Sequence, residues 1–229
     1  MTEALIIGAG PAGLAAALQL RRRGVDFVLF ECQRVGGLLN NANLVENYPG
    51  FPGGIAGEDL VGLFHQQVRE LGVVITYEEV RCLDYCDEMF KVETERANYT
   101  GRVAIIASGT IGSKIEEINI PAVLNERVLT EILPIKGTRG QQVVIIGAGD
   151  LAFDYALNLG RMNAVTILNR TQERKCLPLL WERASQMASI SYWEHTQLMG
   201  VETGEETEVK LRVRVSGSEQ YIHCDYLVY

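Results

Sequence analysis

Three rhythms of apolar and polar residues alternate along the chain. Short unbroken apolar runs, at Leu5-Ile6-Ile7 and at residues 25–30, 73–76, 103–107, 143–146 and 165–168, are bounded by glycine or charge. That is the pattern of strands buried on both faces. Between several of them the spacing turns helical. Ala and Leu crowd residues 14–20, and Leu60, Leu63, Phe64, Val68 and Leu71 mark one stripe over residues 59–71. Residues 153–159 and 177–187 read the same way, the latter with Trp181 and Ala184 on its apolar side. Alternation with turn breaks over residues 80–100 predicts a small antiparallel meander. Further strands are expected at 190–193, 198–201, 209–215 and 221–229, with residues 209–215 alternating as a half-exposed strand should. Residues 111–141 keep no period and read as a linker. Buried runs interleaved with helices predict an α/β chain built on parallel sheets.

Chemistry enters where the first run meets the first helix. Gly8-Ala9-Gly10-Pro11-Ala12-Gly13 is a G-x-G-x-x-G between strand and helix, and Glu31 closes the next strand. Gly8 allows the tight turn, Gly10 lets backbone approach a pyrophosphate, and Gly13 lets the helix pack close to the sheet. The helix start offers unpaired N–H groups and partial positive charge to phosphates, while Glu31 can accept hydrogen bonds from a ribose diol. A merely structural glycine turn is the plainer alternative, but the strand, helix and acid in register favour a dinucleotide site. Beyond Glu31, the Gly36-Gly37 pair again allows close backbone approach. The turn-rich, aromatic loop Asn43–Gly54 follows, as able to face a ligand as to connect elements.

The opening pattern then repeats. Residues 143–146 lead into Gly147-Ala148-Gly149-Asp150-Leu151-Ala152 and a helix, and 165–168 form the next strand. Two such starts imply two dinucleotides or two halves of one redox site. In the second copy Ala152 replaces the third glycine, and Asn169-Arg170 stand where Glu31 stands in the first. An acid there favours a free ribose 2′-hydroxyl. Arg170, with Arg174 and Lys175 nearby, would instead pair with a 2′-phosphate. An ordinary solvated basic turn explains the same residues equally well, so NADP(H) and NAD(H) both stay open, with the arginine tipping the balance towards NADP(H).

Composition narrows the classes. With 47% of 229 residues hydrophobic the chain can bury a real core, and its length admits one large domain or two small ones. A net charge of −8 argues against nucleic acid or an anionic membrane as partner. The basic run Arg21-Arg22-Arg23 falls in the last turn of the first helix, where cations suit the dipole. No apolar run reaches the ~20 residues of a membrane span, and Met1-Thr2-Glu3 enters the first strand directly, so no signal peptide is expected. Five dispersed cysteines fit reduced thiols in the cytoplasm, and three scattered histidines suggest no metal site.

Both glycine turns, together with Val45-Glu46-Asn47-Tyr48-Pro49-Gly50-Phe51, Gly36-Gly37 and Ala107-Ser108-Gly109-Thr110, give the chain a resemblance to the thioredoxin-reductase-like flavoproteins, of the class II pyridine nucleotide-disulfide oxidoreductases. The resemblance spans essentially the whole chain. It implies two Rossmann-like dinucleotide-binding domains of three-layer ββα type, the first carrying the meander: an FAD domain over residues 1–112 and an NAD(P) domain over 113–229. By resemblance Gly8, Gly10, Pro11, Ala12, Gly13, Glu31, Gly36, Gly37, Leu38, Asn47, the backbone at Val80, Ala107 and Gly109 would touch FAD. Gly147, Gly149, Asp150, Leu151, Ala152 and Arg170 would touch the nicotinamide nucleotide. A homodimer is one assembly the sequence allows, and the oligomeric state stays open.

The departures from the family shape the expected function. Disulfide-active members carry Cys-x-x-Cys shortly before the second glycine turn, whereas residues 127–134 hold no cysteine. Cys82 and Cys86 have the wrong spacing and fall in the meander, where packed thiols are expected. Asn169-Arg170-Thr171 thins the His-Arg-Arg of members that prefer NADPH, and Leu38 stands where many have glutamine. The chain also stops where the family crosses back into the FAD domain, so a fragment with an incomplete flavin site is expected. The expected activity is hydride transfer from NAD(P)H to FAD and on to a ferredoxin or small molecule, with no side chain named as acid, base or nucleophile. A non-catalytic nucleotide-binding module is the alternative.

Overall fold

The structure, a computed structural model, describes residues 2–110, 118–205 and 208–229. The chain falls into two compact units: Met1–Asn40 with Leu44–Ile111, and Asn41–Asn43 with Gly112–Tyr229.

In the first unit the expected strand–helix–strand opening forms as β1 (Thr2–Ile7), α1 (Pro11–Arg22) and β2 (Phe27–Glu31). Pro11 opens α1, where its missing N–H costs nothing, and Arg21 and Arg22 lie in the last turn. Next come α2 (Gly57–Glu70), β3 (Ile75–Tyr77), β4 (Val80–Cys86), β5 (Met89–Thr94) and β6 (Asn98–Ile106). They complete a six-stranded sheet in the order β3-β2-β1-β6-β5-β4. β3, β2, β1 and β6 run parallel, and β6, β5 and β4 form an antiparallel meander. Leu14 and Ala17 of α1 and Val61 and Val68 of α2 pack with Ile6 and Leu29, all buried. Leu5, Phe30 and Val92 make a second cluster.

The last strand of the meander and the parallel strand at 103–107, expected as separate elements, are one continuous strand, β6. The change of partner occurs at Gly101, which pairs with Phe90 of β5 and with Thr2 of β1. A Cβ there would lie 2.8 Å from Leu5 Cγ, so glycine lets the strand cross over the core without a break. Cys86 is half-buried on β4 but Cys82 is exposed, which corrects the expectation of two packed thiols. Cys82 lies beside the bulge between Val80 and Cys82, on the edge strand of the sheet.

The second unit holds β7 (Val128–Leu129), β8 (Gln142–Ile146), α3 (Asp150–Leu159), β9 (Ala164–Leu168), α4 (Pro178–Ser185) and β10 (Ile190–Trp193). β11 (Thr196–Thr203), β12 (Val209–Val215), β13 (Ser218–Cys224) and β14 (Tyr226–Val228) follow. A parallel sheet runs β10-β9-β8-β14-β7, and a separate antiparallel sheet runs β11-β12-β13. α3 buries Ala152, Phe153, Tyr155, Ala156, Leu157 and Leu159. Each large apolar side chain on that face contributes about 1.5–3 kcal/mol. Val209, Leu211 and Val213 are fully buried while Lys210, Arg212 and Arg214 point to the wetter face, as the alternation predicts.

Two expectations change here. Residues 111–117 of the expected linker lie outside the described residues, and over 118–141 it is less empty than its lack of period suggests: Leu124, Ile132 and Ile135 are fully or almost fully buried, and β7 pairs with β14. The single strand expected over 221–229 is two strands in different sheets. Asp225 makes the break. Its N–H donates to Gln142 O at 2.8 Å, and its Oδ2 accepts from Gln142 N at 2.8 Å.

Candidate functional site

Each unit holds one glycine turn at the strand-to-helix junction, and backbone bonds build the two alike. Gly8 N donates to Phe30 O, Gly36 N to Ala9 O and Leu14 N to Gly10 O. In the second unit Gly147 N donates to Leu168 O, Lys175 N to Ala148 O and Phe153 N to Gly149 O. Gly8 and Gly147 take φ of +102° and +115°, a region closed to most side chains. At Gly10 and at Gly149, which cap α1 and α3, an added Cβ would meet nothing within 4 Å. Both helix starts therefore present their first N–H groups on an open side. Pro11, Ala12, Asp150 and Leu151 are exposed on that rim.

The first turn is closed on its inner side. A Cβ on Gly13 would lie 1.9 Å from Gly8 O, and one on Gly8 would lie 2.4 Å from Ala107 O, just beyond β6. Glu31, 8% exposed, accepts from Ala9 N at 2.9 Å through Oε2 and from Gln33 N and Arg34 N at 2.8 and 3.2 Å through Oε1. The acid expected to meet a ribose is thus first a brace for the turn, and its remaining lone pairs are what it can offer a hydroxyl. Burial, with Glu31 adding, pushes the neighbouring Cys32 thiol up.

Gly36, at φ +89°, backs directly onto Val61, whose Cγ2 would sit 2.4 Å from an added Cβ. Gly37 and Leu38 follow in a short 3₁₀ turn, with Leu38 38% exposed. These bonds and close approaches tie Gly8, Ala9, Gly13, Glu31, Gly36 and Ala107 into one cluster. Asn47 and Val80 belong to separate elements, and Gly109, at φ +71°, lies on an open bend after β6. Asn47 lies in a loop closed by a two-way Val45–Ile55 backbone pair, beside a cavity of about 300 Å³ lined by residues 46–52. Tyr48 stands edge-on to Phe64 with centroids 5.4 Å apart. Val80 opens β4 opposite Thr94, beside a bulge.

In the second unit Ala152 occupies the helix position that Gly13 fills in the first, 8% exposed. Asp150 accepts from Leu177 N at 2.7 Å, bracing the start of α4 against that of α3. Arg170 is exposed, with no hydrogen bond or ion pair among the described residues. Arg174, grouped with it from the sequence, is committed elsewhere: its guanidinium lies 4.2 Å over the Trp181 ring and 3.4 Å from Glu194. Sequence reasoning missed Asn169, which is 6% exposed. Its Nδ2 donates to Glu173 O and Tyr192 Oη, and its Oδ1 accepts from Thr171 N. The available signal was a polar residue directly after a buried strand.

The cysteine-free region 127–134 forms β7 and the start of a 3₁₀ turn. Glu131 there accepts from Asn41 Nδ2 at 3.1 Å. All five cysteines are free. Burial raises the Cys176 thiol near the second turn and pushes Cys224 up to about 12. No described helix is long and apolar enough to cross a membrane.

The same architecture is found in known proteins. The pyridine nucleotide-disulphide oxidoreductase family matches residues 2–229. The bifunctional thioredoxin reductase/thioredoxin of Mycobacterium leprae is 32% identical over 218 residues, covering 93% of this chain and 47% of that protein. The thioredoxin reductase of Mycolicibacterium smegmatis is 29% identical over 223 residues, covering 95% and 71%. The chain therefore spans about half of the first relative and about 71% of the second. The crystal structure of Lactococcus lactis thioredoxin reductase matches with a TM-score of 0.89 at 27% identity, covering 100% of this chain and 76% of that one. That of T. acidophilum matches at 0.88 and 25%, covering 99% and 75%. Paired strand–turn–helix starts, the meander between them and a family match from end to end lead to one conclusion: the chain belongs to the pyridine nucleotide-disulphide oxidoreductases, as a thioredoxin-reductase-like member.

Proposed function

We propose that this chain is an FAD-dependent NAD(P)H oxidoreductase. Hydride passes from the nicotinamide nucleotide to the flavin, and electrons go on to a ferredoxin or small molecule rather than to thioredoxin. The observation that carries this reading is the open outer face of both glycine turns, each able to admit a diphosphate at a helix start. The redox chemistry is the cofactors' own, and the protein's share is binding and orientation. In the first unit the N–H groups at the start of α1 bind the FAD diphosphate, with Gly10 leaving room for it. The braced Glu31 carboxylate accepts from a ribose hydroxyl, and the loop around Asn47 borders the flavin ring. In the second unit the start of α3 binds the diphosphate of NAD(P)H, and Arg170 pairs with a 2′-phosphate.

The thiols support that choice of acceptor. Five free cysteines, none of them in residues 127–134, offer no relay pair for a protein disulfide. The test is spectroscopic. The purified protein should be yellow, bleach under anaerobic NADPH, and recover its colour with ferricyanide or a ferredoxin while leaving thioredoxin oxidised. A protein that stays colourless with added FAD, yet melts higher with NADPH, would be a binding module and not this enzyme.

A further inference from the structure

The turn that carries Arg170 is fastened from inside by one amide. Asn169 follows β9, and its backbone is bonded on both sides: its N–H donates to Trp193 O at 2.9 Å, and its C=O accepts from Thr196 N at 2.8 Å. Its side chain then closes residues 169–173 on themselves. Nδ2 donates to Glu173 O at 2.9 Å and to Tyr192 Oη at 2.8 Å. Oδ1 accepts from Thr171 N at 3.3 Å and from Thr171 Oγ1 at 3.4 Å. The phenol is itself fixed, because the Tyr192 ring packs against Trp181 and Phe153 at 5.3 and 5.8 Å, and Arg174 caps Trp181. Arg170 thus projects, unpaired among the described residues, from a turn whose geometry Asn169 and Tyr192 set.

We propose that Asn169 is a positioning residue for dinucleotide selectivity, anchored by Tyr192. Its neutral amide holds the Arg170 turn where a guanidinium can meet a 2′-phosphate. The inference rests on Arg170 as the reader of that phosphate. Two physical points support it. First, glutamate in the matching place of the first unit reaches back to its glycine turn. Asparagine is one carbon shorter, and its side-chain bonds go to the basic turn and to Tyr192 Oη. Second, an amide at this strand end adds no negative charge to oppose a phosphate, as a carboxylate would.

Titration calorimetry of the full chain with NADPH and with NADH separates the possibilities. Asn169→Ala should raise the NADPH Kd about tenfold or more, the scale of a misplaced charge-assisted bond, and leave the NADH Kd within about twofold. Asn169→Asp keeps the shape, so it reports even if the alanine variant folds poorly, and should shift preference towards NADH. Tyr192→Phe should act in the same direction more weakly. Arg170→Glu serves as the reference. If it weakens NADPH alone while Asn169→Ala and Asn169→Asp weaken both nucleotides equally, Asn169 is only structural and the inference fails. If Arg170→Glu weakens both equally or neither, the 2′-phosphate reading falls and the inference with it.

Discussion

The chain solves one problem twice, and the two solutions differ in how much their own polypeptide fills. Ala9 and Ala148 each accept an N–H from the segment after the second strand, and Gly8 and Gly147 hold similar positive φ. In the first unit, however, the inside of the turn is full. Gly13 would overlap Gly8 O, Gly8 would overlap Ala107 O, and Glu31 occupies Ala9 N. In the second unit a Cβ on Gly147 would meet nothing within 4 Å, and the third glycine is already an alanine. The helices follow suit. The buried face of α1 is Gly13, Leu14 and Ala17, whereas α3 buries Phe153 and Tyr155 beside Ala152. A close helix needs small residues, and a helix that carries a methyl at the contact fills its face with large ones.

The strongest test of that contrast exchanges the third residue of each motif. Gly13→Ala sets a methyl carbon 1.9 Å from a backbone oxygen that cannot rotate away. We expect a loss of about 3 kcal/mol or more. Ala152→Gly removes one buried methyl and raises the entropy lost on folding, a destabilisation of about 1.5 kcal/mol in all. Both tryptophans, Trp181 and Trp193, lie in the second unit. Tryptophan fluorescence therefore follows that unit, and circular dichroism follows both. Gly13→Ala should shift the dichroism midpoint and spare the fluorescence one. Equal, small losses for the two exchanges would mean the turns are packed alike.

A smaller effect is expected at the brace. Glu31→Gln keeps the shape but turns an NH₂ towards backbone donors, so part of the Ala9, Gln33 and Arg34 bonding is lost. The expected cost is about 2 kcal/mol. It should appear as faster amide exchange at those three residues, with no change at Ala148. Unchanged exchange would make Glu31 free for a ligand and the two turns more alike.

Much of this was legible in the sequence, and the gaps have physical causes. Unbroken runs before and after each glycine motif fix β1, β2, β8 and β9 because strands buried on both faces need no alternation. The glycines themselves mark the turns because positive φ leaves few substitutes. The continuity of β6 was hidden, since Gly101 looks like a break until Leu5 lies beneath it. The end of β13 was hidden because Asp225 interrupts the apolar pattern by one residue, while its partner Gln142 is remote in sequence. At the sites, sequence shows which residue ends a strand but not what it bonds. Glu31 read as a ligand group and Asn169 as a missing basic residue, and both turn out to hold backbone.

The gentlest probe is Tyr155, which lies on α3 where the repeat has Ala16 on α1. Its ring is 2% exposed, and its hydroxyl has no hydrogen-bond partner among the described residues. Burial pushes its pKa from 10.0 to about 12. An unpaired buried hydroxyl costs about 1–3 kcal/mol, part of which relaxation recovers. Tyr155→Phe should therefore stabilise the second unit by about 1 kcal/mol at neutral pH. The alkaline limb gives a second readout. Between pH 10 and 12 the unfolded chain has lost the phenol proton and the folded one keeps it, so stability falls as pH rises. Cys224, raised from 9.0 to about 12, adds a like fall that begins nearer pH 9. In Tyr155→Phe the slope above pH 10 should flatten by one proton and leave the Cys224 part. A slope that does not change would mean the hydroxyl reaches water, and that α3 is packed no more tightly around its large side chains than α1 is around its small ones.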